Sequence, residues 1–567
     1  MRNVKNLFGM AVMATALVAC SSNDDITSNG HEGNQAGEAY ASFRINLPTT
    51  TGTRVAGDPT FDGGDKNEYA VKDAALLLFQ KNASGDFVFK ESVDLGNMEP
   101  WTSSETNGIT TTAKLTAKIT KAEVGENKGY YALIVLNNNS KTAAKITCPT
   151  EGQTYAEWSQ NEANATANYL KYDNGFFMAN APKYVAGAPE TLVEIKNIYA
   201  SKQQAENSTA TTVYVERGLA KVSLASTSAK HVDITDGNYA GDKVDIEGWT
   251  LDVTNTKTYP VHVTEGLWAD TWKTTTTPAA TNGASMDRFH DTKLTEFPRV
   301  YWGLDPNYST NFASVADCER EFTMATKGNF KTGAEAKKAQ YCLENTFDID
   351  HMVQGQTTRV LFSAKYTPDN FADGETFYKF GNSPKLWHAA DVVAQIKAKA
   401  QEVLGEANAS KVTVTLDAEG NDMTKSGVRL VAAANITYGT TALNDEQVDQ
   451  INAKLGFKKA TSTDAAVGLS TFESGVSYYV ARVMHFNGLT PWTPGDKTYE
   501  GNNANWLGRY GVLRNNWYEL SVSSVSGPGY PDVPKVNPTD PDDVNDQYIN
   551  VEVKILDWAK RSQSIDL

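Results

Sequence analysis

Alternation between apolar and polar residues predicts that most of this chain forms β-strands. The first clear segment is 41–47, where apolar residues occupy every second position before Pro48. Residues 74–79 and 130–136 are continuous apolar runs of the length of a central strand. Because successive side chains of a strand point to opposite faces, these patterns predict sheets packed around hydrophobic cores. Further alternating segments lie at 213–224, 360–366 and 518–522.

Helical periodicity is clear in two places. Ser383 is positioned to cap a helix whose first residue is Pro384, and Gly405 is a suitable stop. Asn444, with Gln three residues later, predicts the start of a second helix that stops at Gly456. We expect both helices to lie on the surface of a β-protein, with their apolar faces in the core.

A segment rich in Pro and Asp precedes a last predicted strand. Residues 526–546 contain five Pro and five Asp, a composition that predicts an extended, semi-rigid arm that does not pack. Apolar residues then alternate with polar ones at Ile549, Val551, Val553 and Ile555. Since a strand alone is unstable in water, we expect this one to complete a sheet, in its own subunit or in another.

The first residues predict export and lipidation. Arg2 and Lys5 precede an apolar run, 7–19, which is too short to span a bilayer and is typical of a signal peptide. Small residues then precede Cys20, as in the bacterial lipoprotein cleavage box, so we expect Cys20 to become the lipidated first residue. An ordinary signal peptide with an incidental Cys is the alternative. The polar stretch 21–38 is interpreted as a flexible tether.

Composition and charge narrow the class of function. The chain has 567 residues and a formal net charge of −16, which disfavours binding to a nucleic-acid backbone. Its seven His residues are dispersed, and it has no P-loop, H-E-x-x-H or G-x-S-x-G motif. Asp348 and Asp350 beside His351 are interpreted as a solvated loop. We therefore expect no catalytic residue, no metal site and no cofactor.

Four cysteines are too few for a disulfide framework. In an oxidising envelope Cys318 and Cys342 could pair, which leaves Cys148 alone. The alternative is that all three are buried thiols.

Several short motifs occur in an order that resembles a known family. They are YALIVLN at 131–137, FMANAP at 177–182, VERGLAKV at 215–222, RNNWY at 514–518 and LDW at 556–558. Together with the lipoprotein box, the loop that carries Arg54 and the Pro/Asp-rich arm, they resemble the FimA/Mfa-type fimbrillins of Bacteroidales. The likeness is greatest to the shaft subunits of minor fimbriae.

The resemblance implies an all-β fold of two transthyretin-like Greek-key β-sandwich domains, with a few surface helices in the second. It also implies an organisation along the chain. The expected parts are a lipoprotein signal peptide (1–19), a propeptide with the lipid anchor and first strand (20–54), an N-terminal domain (55–216), a C-terminal domain (217–525), the arm (526–547) and a C-terminal donor strand (548–567).

The resemblance further implies how the protein assembles. An Arg-specific protease would cut between Arg54 and Val55, and the departing first strand would leave a groove in the N-terminal sandwich. The terminal strand of another copy would then enter this groove by β-strand addition. The implied product is a cell-surface fimbria of copies joined head to tail, with accessory and anchor fimbrillins as partners. The lipid would hold the precursor at the outer membrane until cleavage.

Three alternatives stay open on the sequence alone. An accessory or tip fimbrillin would cap the fibre and needs no outgoing strand. A surface glycan-binding lipoprotein would use exposed aromatic residues such as Trp492 or Trp506. A hydrolase would use a catalytic pair of carboxylates, which the sequence does not distinguish from its other acidic residues.

Overall fold

The fold is mostly β-strand, which confirms the predicted all-β class. The computed structural model describes residues 38–47, 68, 70–96, 111–138, 144–164, 169–173, 175–186, 188–226, 228–264, 289–290, 297–307, 312–347, 351–381, 383–405, 409–416, 428–459, 461, 466–486, 507–542 and 549–557. No helix in these ranges is long and apolar enough to cross a membrane.

The first part of the chain builds one large sheet. The strands of this part of the chain are β1 (Ala39–Leu47), β2 (Ala74–Lys81), β3 (Phe87–Gly96), β4 (Thr111–Ile119), β5 (Gly125–Leu136), β6 (Ala163–Asn164), β7 (Met178–Asn180), β8 (Lys183–Val185), β9 (Ala188–Glu190), β10 (Val193–Ile198) and β11 (Thr211–Arg217). Three of them lie outside the large sheet: β8 pairs with β9, and β6 pairs with residues 257–258. The order in the sheet is β3-β2-β5-β7-β11-β1-β4, with β10 paired to β5. Two short helices, α1 (Tyr155–Ser159) and α2 (Lys202–Asn207), lie between these strands in the sequence.

This sheet encloses a hydrophobic core on one face and is covered on the other. The enclosed core takes side chains from β1, β2, β4, β5, β7, β10 and β11. The other face of β2 and β5 packs against α1, aromatic residues of 169–177 and residues of the second part of the chain. The continuous apolar runs predicted for β2 and β5 are therefore explained by burial on both faces.

The second part of the chain forms two facing sheets. Its elements are β12 (Leu219–Leu224), β13 (His231–Asp233), β14 (Lys243–Asp252), β15 (Thr254–Asn255), β16 (Lys257–Thr258), α3 (Val315–Glu321), β17 (Phe322–Thr323), β18 (Lys331–Thr332), β19 (Gln340–Leu343) and β20 (Arg359–Thr367), and, after an insertion, β28 (Val476–Arg482), β29 (Asn516–Val525) and β30 (Ile549–Asp557). One sheet has the order β19-β12-β29-β30, and the other has the order β13-β14-β20-β28 with β18 beside β14. Trp249, Phe362, Tyr479 and Tyr518 are among the side chains buried between them.

The insertion lies between β20 and β28, which are neighbours in the sheet. It contains β21 (Phe377–Phe380), β22 (Leu386–Trp387), α4 (Ala389–Leu404), β23 (Val412–Val414), β24 (Val428–Arg429), β25 (Ile436–Tyr438), β26 (Thr441–Ala442), α5 (Asp445–Leu455) and β27 (Leu469–Phe472). It forms two small sheets, β22-β21-β27-β24 and β23-β25-β26. Val392, Ile396, Val448 and Ile451 of the two helices belong to a core made only of insertion residues.

The two helix predictions have different outcomes. Asn444 caps α5 with a reciprocal Gln447 contact, and Gly456 ends it with a left-handed backbone, as predicted. Gly405 ends α4 as predicted, but the predicted start at Ser383 is wrong. Leu386 and Trp387 pair with β21 as a strand, so the helix begins only after them.

The chain passes from the first sheet to the second at Gly218. β11 ends at Arg217 and pairs with β7, while β12 begins at Leu219 and pairs with β19 and β29. A Cβ atom at Gly218 would collide with the hydroxyl of the buried Tyr169. The crossing between sheets therefore requires glycine at this position.

Candidate assembly site

β1 lies between two strands of the first sheet and pairs with both. It runs parallel to β11, with Ile45 opposite Val213. It runs antiparallel to β4 along its whole length, from Ala39 opposite Ile119 to Leu47 opposite Thr111. We call the position that β1 occupies between β11 and β4 the β1 slot. An empty slot would leave the facing backbone N–H and C=O groups of both neighbours without strand partners.

The core-facing side chains of β1 are almost completely buried. Ala39, Ala41, Phe43, Ile45 and Leu47 are each at most 1% exposed and belong to the enclosed core. The apolar residues whose alternation predicts this strand therefore all lie in the first core. An empty slot would also open an apolar groove.

The other face of β1 is covered as well, by polar contacts. Ser42 Oγ donates to the carbonyl oxygen of Ala205 in α2 (2.7 Å) and lies 2.9 Å from Thr116 Oγ1. Asn46 accepts a hydrogen bond from Thr112 (2.7 Å). Arg44 remains exposed. The strand is therefore held from both sides, which the alternation pattern did not indicate.

The predicted processing residues Cys20, Arg54 and Val55 lie outside the described residues. The next described residue along the chain is Glu68, which is buried, with 1% of its surface exposed. Its carboxylate pairs with Lys221 Nζ (2.9 Å) and accepts a hydrogen bond from Tyr341. Its carbonyl oxygen accepts from Arg217 Nε (2.9 Å). The chain that follows the predicted cleavage loop is thus anchored to the second part of the molecule.

The predicted terminal strand forms, as β30, and it pairs within its own subunit. It runs antiparallel to β29, with Val551 opposite Val522, Val553 opposite Leu520 and Ile555 opposite Tyr518. Val551 packs against the core of the second part. β30 is the last strand in the order of its sheet, so it lies at an edge.

The prediction that the arm does not pack is wrong. Tyr530 and Tyr478 exchange two backbone hydrogen bonds of 2.8 Å. Near the other end of the arm, Gln354 N donates to Asp540 O (2.9 Å) and Asp542 N donates to Met352 O (3.1 Å). Pro residues remove donors from the arm itself, but the body supplies donors and acceptors that its composition does not reveal.

A buried ionic cluster joins β11 to the second part of the chain. His262 lies between two carboxylates, with Nδ1 2.7 Å from Glu216 and Nε2 in contact with Glu344. Glu216 also pairs with Arg299 (2.8 Å), and Glu344 pairs with Arg514 (2.8 Å). All five side chains are at most 3% exposed. Each carboxylate therefore has a guanidinium partner, and the imidazole bridges the two pairs.

The charges in this cluster outweigh the cost of burial. Burial by itself disfavours the imidazolium, but Glu216 and Glu344 raise the pKa of His262 above its ordinary value. Burial likewise disfavours the Glu344 carboxylate, but Arg514 and His262 lower its pKa to about 2. Sequence reasoning missed the cluster because its members are far apart in the chain. The available signal was that Glu216 and Arg514 each lie within one of the short motifs described above, VERGLAKV and RNNWY.

The remaining candidate groups give no site. Asp348 and Asp350 lie outside the described residues, and so do Trp492 and Trp506. Within the described ranges, no group of three or more His, Cys, Asp or Glu side chains could hold a metal ion. Cys318 and Cys342 are free buried thiols, so the pairing considered for them is wrong. Cys148 is disulfide-bonded, so the alternative of three buried thiols is wrong as well.

Comparison with known proteins identifies the carboxy-terminal segment. A family model described as "Major fimbrial subunit protein type IV, Fimbrillin, C-terminal" matches residues 470–564. The match includes β28, β29, the arm and β30, and it confirms in this segment the resemblance to fimbrillins that the motifs predict. No curated protein matches the chain.

Three solved structures from Parabacteroides distasonis ATCC 8503 are similar to the chain. Two are of candidate cell adhesion proteins, with 11% and 12% identity and TM-scores of 0.38 and 0.34, and each covers 92% of this chain. The matches include 98% and 99% of those two chains. The third is of a fimbrial assembly protein, with 11% identity and a TM-score of 0.26, covering 62% of this chain and 96% of that one.

Proposed function

We propose that this protein is a structural, non-enzymatic shaft subunit of a cell-surface fimbria, assembled by exchange of strands between copies. The fimbrillin match to residues 470–564 supports a fimbrial subunit. The chain is exported as a lipoprotein on Cys20, held at the outer membrane, and cut by an Arg-specific protease between Arg54 and Val55. The terminal strand β30 of one copy then completes the sheet of the next.

One observation carries this proposal, namely the position of β1. This strand is near the start of the chain, yet it lies between two other strands of the first sheet and contributes its apolar face to the core. After cleavage at Arg54 it is no longer covalently joined to the body. Its departure would expose the edges of β11 and β4 and the apolar groove between them. A strand from another copy would pair with both edges and fill the groove with its apolar side chains.

β30 is the available strand in the described chain. It has nine residues, as β1 does. It sits at a sheet edge, so its removal separates no other pair of strands. Since the slot lies in the first part of the chain and the donor in the second, the contact is head-to-tail and builds an open filament.

The organisation proposed for the mature subunit follows the change of sheets. Residues 55–216 form the N-terminal domain that accepts the strand, and 217–525 form the C-terminal domain. The arm (526–547) and the donor region (548–567) follow. The crossing of the chain between sheets at Gly218 supports this division.

A tip or accessory fimbrillin is the second candidate. A tip subunit would accept a strand but have none to donate, whereas β30 here is a complete strand with alternating sequence. Accessory and anchor fimbrillins are instead proposed as partners at the two ends of the fibre.

The decisive experiment replaces Arg54. Full-length protein and the Arg54→Ala variant are treated with an Arg-specific protease, followed by mass spectrometry and electron microscopy. We expect the natural chain to lose its first strand and form filaments, and the variant to remain full-length and monomeric. Normal filaments from Arg54→Ala would overturn the cleavage step.

Arg54→Lys is the matched control, because it keeps the charge and length of the side chain nearly unchanged. The Arg-specific protease should leave it intact, while trypsin, which also cuts after Lys, should process it and restore filaments. Failure of trypsin-cut Arg54→Lys to assemble would show that cleavage alone does not release the subunit.

A further inference from the structure

Three charged residues form a row across the end of one sheet in the second part of the chain. Asp252 of β14 is opposite Arg359 of β20, and Arg359 is opposite Arg482 of β28. Asp252 Oδ2 accepts from Arg359 Nε (2.7 Å), and Asp252 Oδ1 accepts from the backbone N–H of Ala325 (2.7 Å). Asp252 and Arg359 are 3% and 2% exposed. The aspartate therefore fixes the orientation of the first guanidinium.

Both arginines of the row donate to the backbone of the arm. Arg359 Nη2 donates to the carbonyl oxygen of Pro534 (2.5 Å), and Arg482 Nε donates to that of Asp542 (2.7 Å). A third anchor is the ion pair between Lys327 and Asp532 (3.1 Å). Hydrogen bonds from charged donors are stronger than those between neutral groups, so these contacts hold the arm at both ends of 532–542.

Apolar packing of this part of the arm is limited. Val536 is buried, in a small cluster with Val253, Phe312, Cys318 and Phe322. A cleft of about 600 Å³ lies between 532–536 and the body, and a second cleft of about 300 Å³ lies on the other side of the Lys327–Asp532 pair. Pro534, Val536 and Pro538 are buried, so the arm contacts the body at alternate residues and borders the clefts between these contacts.

We propose that Asp252, Arg359 and Arg482, together with the Lys327–Asp532 pair, form a latch that keeps the arm, and with it β30, on its own subunit until assembly. This inference rests on the proposed function, because the latch matters only if β30 leaves. The arm joins β29 to β30, so β30 can reach a second copy only after the arm detaches. The strength of the latch then sets the rate of polymerisation, while the folded sandwich is left intact.

The test uses full-length protein that has not been cleaved, together with its Arg482→Gln variant. Hydrogen exchange of the amides in 532–542 reports the opening of the arm without any polymerisation. We expect exchange in the variant to be about tenfold faster there and unchanged in β14 and β20. After cleavage at Arg54, we expect filaments of the variant to form several-fold faster.

Two further variants keep the test decisive. Lys327→Ala removes the anchor whose Lys side chain is 63% exposed, so it should fold even if Arg482→Gln does not. Because solvent screens this pair, its loss should accelerate arm exchange less than Arg482→Gln does. Lys365→Ala is the control, because Lys365 of β20 pairs with Asp373 (3.0 Å) on an exposed site away from the arm. It should change neither rate.

The outcomes separate the latch from the proposed function. Unchanged arm exchange in both Arg482→Gln and Lys327→Ala overturns the latch. Faster exchange with an unchanged rate of polymerisation also overturns it, because opening would then not limit assembly. If cleaved natural protein forms no filaments at all, the proposed function fails instead.

Discussion

His262 illustrates how single side chains connect the two parts of this molecule. Its imidazole touches Glu216, at the end of a strand in the first sheet, and Glu344, which follows β19 in the second part. A neutral imidazole has one N–H and can satisfy only one of these carboxylates as a donor, whereas the imidazolium satisfies both. The geometry therefore favours the protonated ring, in agreement with its raised pKa.

A pH dependence of stability follows from this residue. Because the pKa of His262 is higher in the folded than in the unfolded chain, its contribution is complete below about pH 6.5 and declines as the pH rises through the folded value. His262→Gln should lower stability by on the order of 3 kcal/mol at pH 6, since it breaks a buried charge pair. It should also flatten the loss of stability towards alkaline pH, measured by urea unfolding of the uncleaved protein from pH 5.5 to 9.

His231→Gln provides the control for this measurement. His231 also pairs with two carboxylates, those of Asp233 and Asp245, but it is half exposed. Solvent screening makes such pairs weak, so this variant should keep both the stability and the pH profile of the natural chain. A pH profile of His262→Gln that matches the natural one would contradict the role of the buried imidazolium.

Two strands of the molecule can be compared directly, β1 and β30. Both have nine residues, and both alternate apolar with polar positions. In β1, Arg44 is exposed to solvent between buried Phe43 and Ile45. In β30 the sequence has Lys554 between Val553 and Ile555. A strand with this pattern suits the β1 slot, because its apolar face can refill the core while its charged residue reaches solvent.

The role of β1 predicts a difference between precursor and fibre. Phe43→Ala should destabilise the uncleaved protein by about 3–5 kcal/mol, as expected for loss of a buried aromatic ring. The same change should leave the stability of the assembled fibre unaltered if, as proposed, β1 leaves the subunit before assembly. Thermal unfolding of the two forms measures this.

Ile134→Ala is the matched control for this comparison. Ile134 is buried in the same core but belongs to β5, which stays in the subunit after cleavage. It should therefore destabilise both forms by about 2–5 kcal/mol. A fibre destabilised equally by Phe43→Ala and Ile134→Ala would mean that β1 is never exchanged.

Local patterns in the sequence predicted the elements whose structure is local. β1 and β20 follow clean alternation, and α5 follows its capping box and terminal glycine. The start of α4 could not be predicted, because Leu386 and Trp387 are recruited into a strand by the distant β21. The partner of β30 was likewise left open by the sequence, since pairing between strands is non-local.

The candidate assembly site, like the fold, could be predicted from the sequence only where its structure is local. The alternation in 41–47 indicated a strand, but its central place between β11 and β4 depends on residues far along the chain. The composition of the arm correctly indicates few backbone donors. It could not indicate Arg359 and Arg482. These residues come from other strands and donate hydrogen bonds to backbone carbonyl oxygens of the arm.

At the scale of the whole molecule, the β1 slot lies in the first part of the chain, and β30, the proposed donor strand, lies in the second part. Deletion of 548–567 should give a protein that still folds and is cleaved but remains monomeric, because β30 is an edge strand and its loss opens no sheet from within. Size-exclusion chromatography and electron microscopy after cleavage measure this. Filaments from the deleted protein would exclude β30 as the donor.

A reversible lock tests the same step without deleting residues. Val353 and Pro541 face each other as a backbone bridge between body and arm, a spacing close to that of disulfide-linked pairs. The variant Val353→Cys/Pro541→Cys should stay monomeric after cleavage while oxidised and should form filaments once reduced. Assembly of the oxidised form would show that the arm does not need to detach.

The burial of β1 has a consequence for the history of each subunit. If strands are exchanged as proposed, β1 occupies in the precursor the place that a strand of the next subunit takes in the fibre, so the precursor can fold without a partner. Cleavage of the peptide bond would then make the loss of β1 irreversible. A subunit released from such a fibre could not regain its precursor form, so we expect growth of the filament to be effectively irreversible.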